Sequence, residues 1–95
     1  MTRQQAYDLL YEKLSEIEGA ITFEDDNTKS IEVETEDCLV ILEHKGSYYE
    51  YELFIANKEG FTTVDIAILY EEVEDYKWCW KWLKTLGITE AIFQC

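Results

Sequence analysis

Two stretches of the sequence alternate in polarity residue by residue, and this alternation constrains the fold more than any other feature. In residues 29–35 and the residue that follows, Ile31, Val33 and Thr35 alternate with Glu32, Glu34 and Glu36. In residues 48–56, Tyr49, Tyr51, Leu53 and Ile55 alternate with Tyr48, Glu50, Glu52 and Phe54. Successive side chains of a strand point to opposite faces of its sheet. The pattern therefore predicts strands with one face against a core and the other toward solvent.

The remaining segments complete an α+β pattern. Strand-like segments occupy residues 20–24, 38–42 and 61–68, and the unbroken apolar run at 38–42 predicts a more buried strand. Helical periodicity covers residues 3–18, after a Thr2–Gln5 capping box, and residues 69–86, before Gly87. The segment 88–93 is predicted to form either a final edge strand or an apolar strap, meaning a non-strand tail that packs by its apolar side chains. The predicted fold is an antiparallel sheet of four to five strands, flanked on one face by an N-terminal and a C-terminal helix, in the order α-β-β-β-β-α-(β).

Length and composition predict one domain over residues 1–95. A chain of 95 residues that is 47% hydrophobic can bury a core, and at this length about two-thirds of the unfolded surface becomes buried. The absence of proline and the presence of only four glycines argue against a flexible linker. No apolar run approaches the ~20 residues that span a bilayer, and the polar N-terminus does not resemble a signal peptide. We expect a cytoplasmic protein that does not bind membranes.

The charge of the chain restricts its partners. The formal net charge is −13, from 21 acidic and eight basic residues. Residues 1–76 carry a net −15, whereas residues 77–95 carry a net +2. Direct binding of nucleic acid is disfavoured, because phosphates require cationic side chains. A basic protein partner is favoured, because opposite charge steers association.

The alternating strands suggest where such a partner would bind. Residues on one face of a strand repeat every ~6.6 Å, which is close to the phosphate spacing along a nucleic-acid strand. A carboxylate grid on this face could imitate a phosphate backbone, although acidic residues also keep an exposed sheet soluble. The predicted partner-binding glutamates are Glu32, Glu34, Glu36, Glu50 and Glu52.

Three tryptophans lie close together in the segment DYKWCWKWLK at residues 75–84. Trp80 falls on the apolar stripe of the predicted helix and is expected in the core. Trp78 and Trp82 are four residues apart and point elsewhere. Either they pack beneath another element, or they form an exposed aromatic pair of the type enriched at binding hot spots.

Motifs for catalysis and metal binding are not recognisable in the sequence. The single histidine, His44, and three widely spaced cysteines do not form a zinc pattern. Cys38 and Cys79 lie in apolar contexts and are expected to be buried, whereas Cys95 ends the chain. We therefore predict a non-enzymatic protein with no metal and no cofactor.

In size, charge and α+β pattern the whole chain resembles the small acidic inhibitors that phages use against host defences, including anti-CRISPR and anti-restriction proteins. The resemblance implies an inhibitor in the bacterial cytosol that occupies the basic nucleic-acid-binding channel of a defence nuclease complex. The five glutamates would face the channel's basic residues, and Trp78 and Trp82 would anchor the complex. One alternative is an immunity protein or antitoxin that neutralises a basic nuclease toxin. Another is a homodimeric structural or accessory subunit that buries these tryptophans and the tail.

Overall fold

The fold is a five-stranded antiparallel sheet with helices on one face, as the sequence predicts. A computed structural model describes residues 1–46, 50–71 and 76–94. The elements are α1 (Arg3–Ser15), β1 (Ile21–Glu24), β2 (Thr28–Glu34), β3 (Cys38–Lys45), β4 (Glu50–Asn57), β5 (Gly60–Asp65), α2 (Ile66–Tyr70), α3 (Lys77–Thr85) and a 3-10 turn (Glu90–Phe93). Each strand pairs with the next in the chain, in the order β1-β2-β3-β4-β5.

Helix α1 begins at the predicted capping box. The Thr2 hydroxyl accepts a hydrogen bond from the Gln5 backbone N–H at 3.1 Å, and the Gln5 side chain accepts one from the Thr2 backbone N–H at 2.8 Å. These bonds satisfy two donors that a helix start otherwise leaves unpaired. The helix ends at Ser15 rather than at residue 18, because the backbone N–H groups of Glu16 and Ile17 bond three residues back in a tighter turn.

The core lies between the helices and one face of the sheet. Helix α1 contributes Ala6, Tyr7, Leu10 and Leu14, each at most 1% exposed. The sheet residues buried against the helices are Ile31, Val33, Cys38, Val40, Leu42, Tyr51, Leu53, Ile55 and Val64. These residues alternate along their strands, so the predicted division between a buried and an outer face is confirmed for the described residues.

The second half of the chain departs from the prediction at Asp65. The predicted strand at 61–68 stops there, because the Asp65 carboxylate accepts a hydrogen bond from the Ala67 backbone N–H at 2.8 Å and caps α2. The predicted helix at 69–86 is instead found as α2 and α3, and residues 72–75 between them lie outside the described residues. Residues 47–49, which include the first two residues of the predicted strand at 48–56, also lie outside them.

The tail forms the apolar strap rather than an edge strand. Its 3-10 turn packs against α1 and α2. The Phe93 ring meets the rings of Trp80 and Tyr70 edge to face, with centroids 5.8 and 5.9 Å apart. These contacts attach the tail to the helical layer.

Candidate protein-binding surface

The face of the sheet turned away from the helices, called the open face below, is uncovered in the described structure. Direct partners in the strand register place the following residues on it: Ile21, Phe23, Thr28, Ser30, Glu32, Glu34, Leu39, Ile41, Glu43, Lys45, Glu50, Glu52, Phe54, Ala56, Phe61, Thr63 and Asp65. Each of these is half-buried or exposed. The open face is therefore accessible to a partner across all five strands.

Four of the five predicted glutamates lie on the open face. Glu32 and Glu34 belong to β2, and Glu50 and Glu52 belong to β4, with β3 between them. The placement of Glu36 on the same strand is wrong, because β2 ends at Glu34. Glu36 lies in the following turn, where the Thr35 hydroxyl accepts hydrogen bonds from the backbone N–H groups of Asp37 and Cys38.

A carboxylate that the sequence analysis did not select, Glu43, lies directly opposite Glu52. Glu43 forms an ion pair with Lys45 at 3.2 Å. Lys45 is the one cation among the described strand residues of the open face, and it is therefore already paired. Burial raises the pKa of Glu52, and the neighbouring carboxylates of Glu50 and Glu43 add to this rise. The carboxylates at this end of the sheet therefore repel one another, and a cationic partner would relieve the repulsion.

The glutamates border an apolar patch rather than forming a continuous grid. Strand β3, between the two acidic strands, carries Leu39 and Ile41 on the open face, although its apolar run was predicted to be buried. Phe54 and Ala56 follow on β4, Phe61 on β5 is 78% exposed, and Ile21 on β1 is 63% exposed. We call these six residues the apolar patch. The position of Phe54 on the same strand face as Glu50 and Glu52 was the signal for it in the sequence.

The tryptophans divide between the core and its edge. Trp80 and Trp82 are each 6% exposed and belong to the core, so the hypothesis that Trp82 is an exposed anchor is wrong. Trp78 is half-buried beside Trp82, and the centroids of these two rings are 6.5 Å apart. Helix α3 has buried residues on two sides, with Trp80 on one and Trp82 on the other. The Trp82 ring is therefore almost fully covered.

Trp78 is held at the edge of the sheet by the turn between β4 and β5. Its indole N–H donates to Glu59 Oε2 at 3.1 Å, and the Lys81 ammonium donates to Glu59 Oε1 at 2.8 Å. These two donors, Lys81 first, lower the pKa of Glu59. Trp78 lines a cleft of about 270 Å³ with Phe61 and Tyr76. Of the predicted aromatic pair, Trp78 alone retains an exposed portion near the open face.

The cysteines and the histidine have structural positions. Cys38 and Cys79 are buried free thiols, as predicted, and burial raises the pKa of Cys79. His44 stacks on Tyr51 with centroids 4.0 Å apart. Within residues 1–46, 50–71 and 76–94, His, Cys, Asp and Glu side chains do not group into a potential metal site. Cys95 lies outside these residues.

Three comparisons with known proteins find no match to the chain. A scan of protein-family models finds no match to the chain. A comparison with curated proteins finds none, and a comparison with solved structures also finds none. Among the described helices, none is long and apolar enough to cross a membrane.

Proposed function

We propose that this chain is a non-catalytic inhibitor that binds a basic nucleic-acid-binding protein through the open face of its sheet. The partner would be a host defence nuclease complex, and the inhibitor would act in the bacterial cytosol in the manner of phage anti-CRISPR proteins. Its carboxylates would take the positions that phosphates occupy on the partner.

One observation carries the proposal. The uncovered face of the sheet bears five glutamates and a single lysine among its described strand residues, in a chain with a net charge of −13. Side chains on this face lie ~6.6 Å apart along a strand and ~4.8 Å apart between strands. A basic groove that binds phosphates would meet closely spaced negative charge on this face.

The charge distribution also predicts how such a complex would behave. Exposed carboxylates steer a basic partner toward the surface and raise the association rate at low salt. Because exposed charges are screened beyond about 8 Å at physiological salt, association would slow as salt is added. Dissociation would depend on contacts other than the exposed charges.

The first experiment captures the partner and compares two variants of equal charge. One variant replaces Glu32, Glu34 and Glu52 with glutamine. The control replaces Glu12, Glu16 and Glu18 with glutamine. These are three exposed acids on α1 and in the turn that follows it. Tagged wild-type protein and both variants are incubated with bacterial lysate, and bound proteins are eluted with salt and identified.

The proposal predicts that a nucleic-acid-binding protein is captured by the wild type and by the control, and much less by the open-face variant. The purified partner should then release a fluorescent oligonucleotide when the wild type is added. Equal loss of capture by both variants would indicate non-specific charge attraction and reject the open face as the site. A captured protein that keeps its oligonucleotide would reject the inhibitory mechanism. A toxin nuclease as the captured protein would favour the immunity-protein alternative.

A further inference from the structure

We propose that the apolar patch docks an amphipathic basic segment of the partner, in which apolar side chains are flanked by lysine or arginine. This inference rests on the proposed function, because it concerns the same face and the same partner. It adds a specific contact to an interaction that charge alone would leave sensitive to salt.

The strand register arranges the apolar patch as two adjacent rows across the sheet. One row includes Ile41 and Phe54, with Ile21 at its β1 end. The other runs through Leu39, Ala56 and Phe61. The rings of Phe54 and Phe61 connect the rows, with centroids 6.2 Å apart. The patch is therefore contiguous over β3, β4 and β5.

The dimensions of the patch suit one side of a short helix or strand. The contiguous part over β3, β4 and β5 covers two spacings of ~4.8 Å, or about 10 Å, and the two rows are ~6.6 Å apart. Extended past Glu32 to Ile21 on β1, the patch covers four spacings and reaches a length of about 19 Å. A helix of about 13 residues has this length, and its apolar stripe is of comparable width. Exposed aromatic side chains of this kind commonly supply the buried centre of a protein interface.

The charges around the patch select among possible occupants. Glu32 lies between Ile21 and Ile41 in the first row, and Glu34 lies beside Leu39 in the second. Glu43 and Glu52 form the next row beyond Ile41 and Phe54. A segment seated on the patch would thus meet carboxylates at its β2 end and along one side. A second copy of this chain or an anionic membrane would bring like charge to these glutamates, which opposes both as occupants.

The test uses two synthetic peptides of about 14 residues, long enough to span ~20 Å as helices. One consists of leucines and lysines arranged on opposite sides of a helix. The other keeps every lysine and has serine in place of each leucine. Fluorescence anisotropy measures the affinity of each peptide for wild-type protein, for the glutamine variant of Glu32, Glu34 and Glu52, and for Phe54→Thr/Phe61→Thr.

The inference predicts that wild-type protein binds the leucine peptide about tenfold more tightly than the serine peptide, the effect of burying an aromatic contact. Phe54→Thr/Phe61→Thr should abolish this difference. Phe61→Thr alone, at the more exposed position, should reduce it if the double variant does not fold. The control Leu9→Gln, on α1 and half-buried away from the open face, should preserve it.

Equal affinities for the two peptides would overturn the apolar contact and leave the electrostatic proposal in place. Serine-peptide binding that the glutamine variant does not weaken would instead contradict the charged surface of the proposed function. Sedimentation of the wild type should show a monomer. A dimer that Phe61→Thr dissociates would overturn the inference, because the patch would then be occupied by a second copy.

Discussion

The two neighbouring tryptophans of α3 should respond very differently to removal of their side chains. Trp82 is 6% exposed and belongs to the core, so Trp82→Ala should lower the free energy of unfolding by about 3–5 kcal/mol, through lost burial and a cavity. Trp78 is half-buried at the rim. Trp78→Ala should cost about 1 kcal/mol, corresponding to the smaller apolar area that it withdraws from water.

Thermal denaturation followed by circular dichroism measures this difference. In a domain of this size, each 1 kcal/mol shifts the melting temperature by about 4–8 °C. Trp82→Ala should therefore melt at least 12 °C below wild type, if 1 kcal/mol is taken as about 4 °C, or fail to fold. Trp78→Ala should melt no more than about 8 °C below wild type. Equal losses would refute the placement of one ring in the core and the other at its edge.

Two further variants test the charge and hydrogen-bond arguments. Since the folded state raises the pKa of Glu52 above its unfolded value, folding favours the protonated carboxyl, and stability is lost as pH rises through the folded pKa. Glu52→Gln should thus raise the melting temperature more at pH 7 than at a pH below the ordinary pKa of glutamate, as measured in matched thermal scans. A lower melting temperature of the variant at neutral pH would contradict the repulsion from Glu50 and Glu43. Tyr7→Phe removes the 2.7 Å hydrogen bond that the buried hydroxyl donates to the Lys29 carbonyl, and urea denaturation should show a loss of about 1 kcal/mol; unchanged stability would show that this bond contributes nothing net.

The strand faces were predictable because alternation has a direct geometric meaning. Ile31 and Val33 had to share a face opposite Glu32 and Glu34, whatever the rest of the fold, and the structure places them so. The capping box at Thr2 was equally local, since it depends on residues three apart. Features that depend only on nearby residues can be recognised before the tertiary structure is known.

The apolar patch was harder to foresee because an apolar run does not show which of its faces is covered. Val40 and Leu42 lie beneath the helices, whereas Leu39 and Ile41 lie on the open face. Only the number and placement of the helices decide this. The change from strand to helix at Asp65 is a similar case, because the residues on either side of it are apolar and suit both structures.

Trp82 shows a further limit of helical periodicity. Its angular position identifies a side of the helix that differs from the side of Trp80, but not whether another element covers that side. The structure buries both rings. An aromatic pair outside the main apolar stripe is therefore consistent with a helix that packs on two sides.

The most direct test of the account is the position of the binding surface in a titration followed by nuclear magnetic resonance. Protein with labelled isoleucine and leucine methyl groups would be titrated with the captured partner. The account predicts that the largest shifts occur at Ile21, Leu39 and Ile41 on the open face. Shifts concentrated instead at Ile17 and Ile92, which pack against the core away from this face, would contradict it.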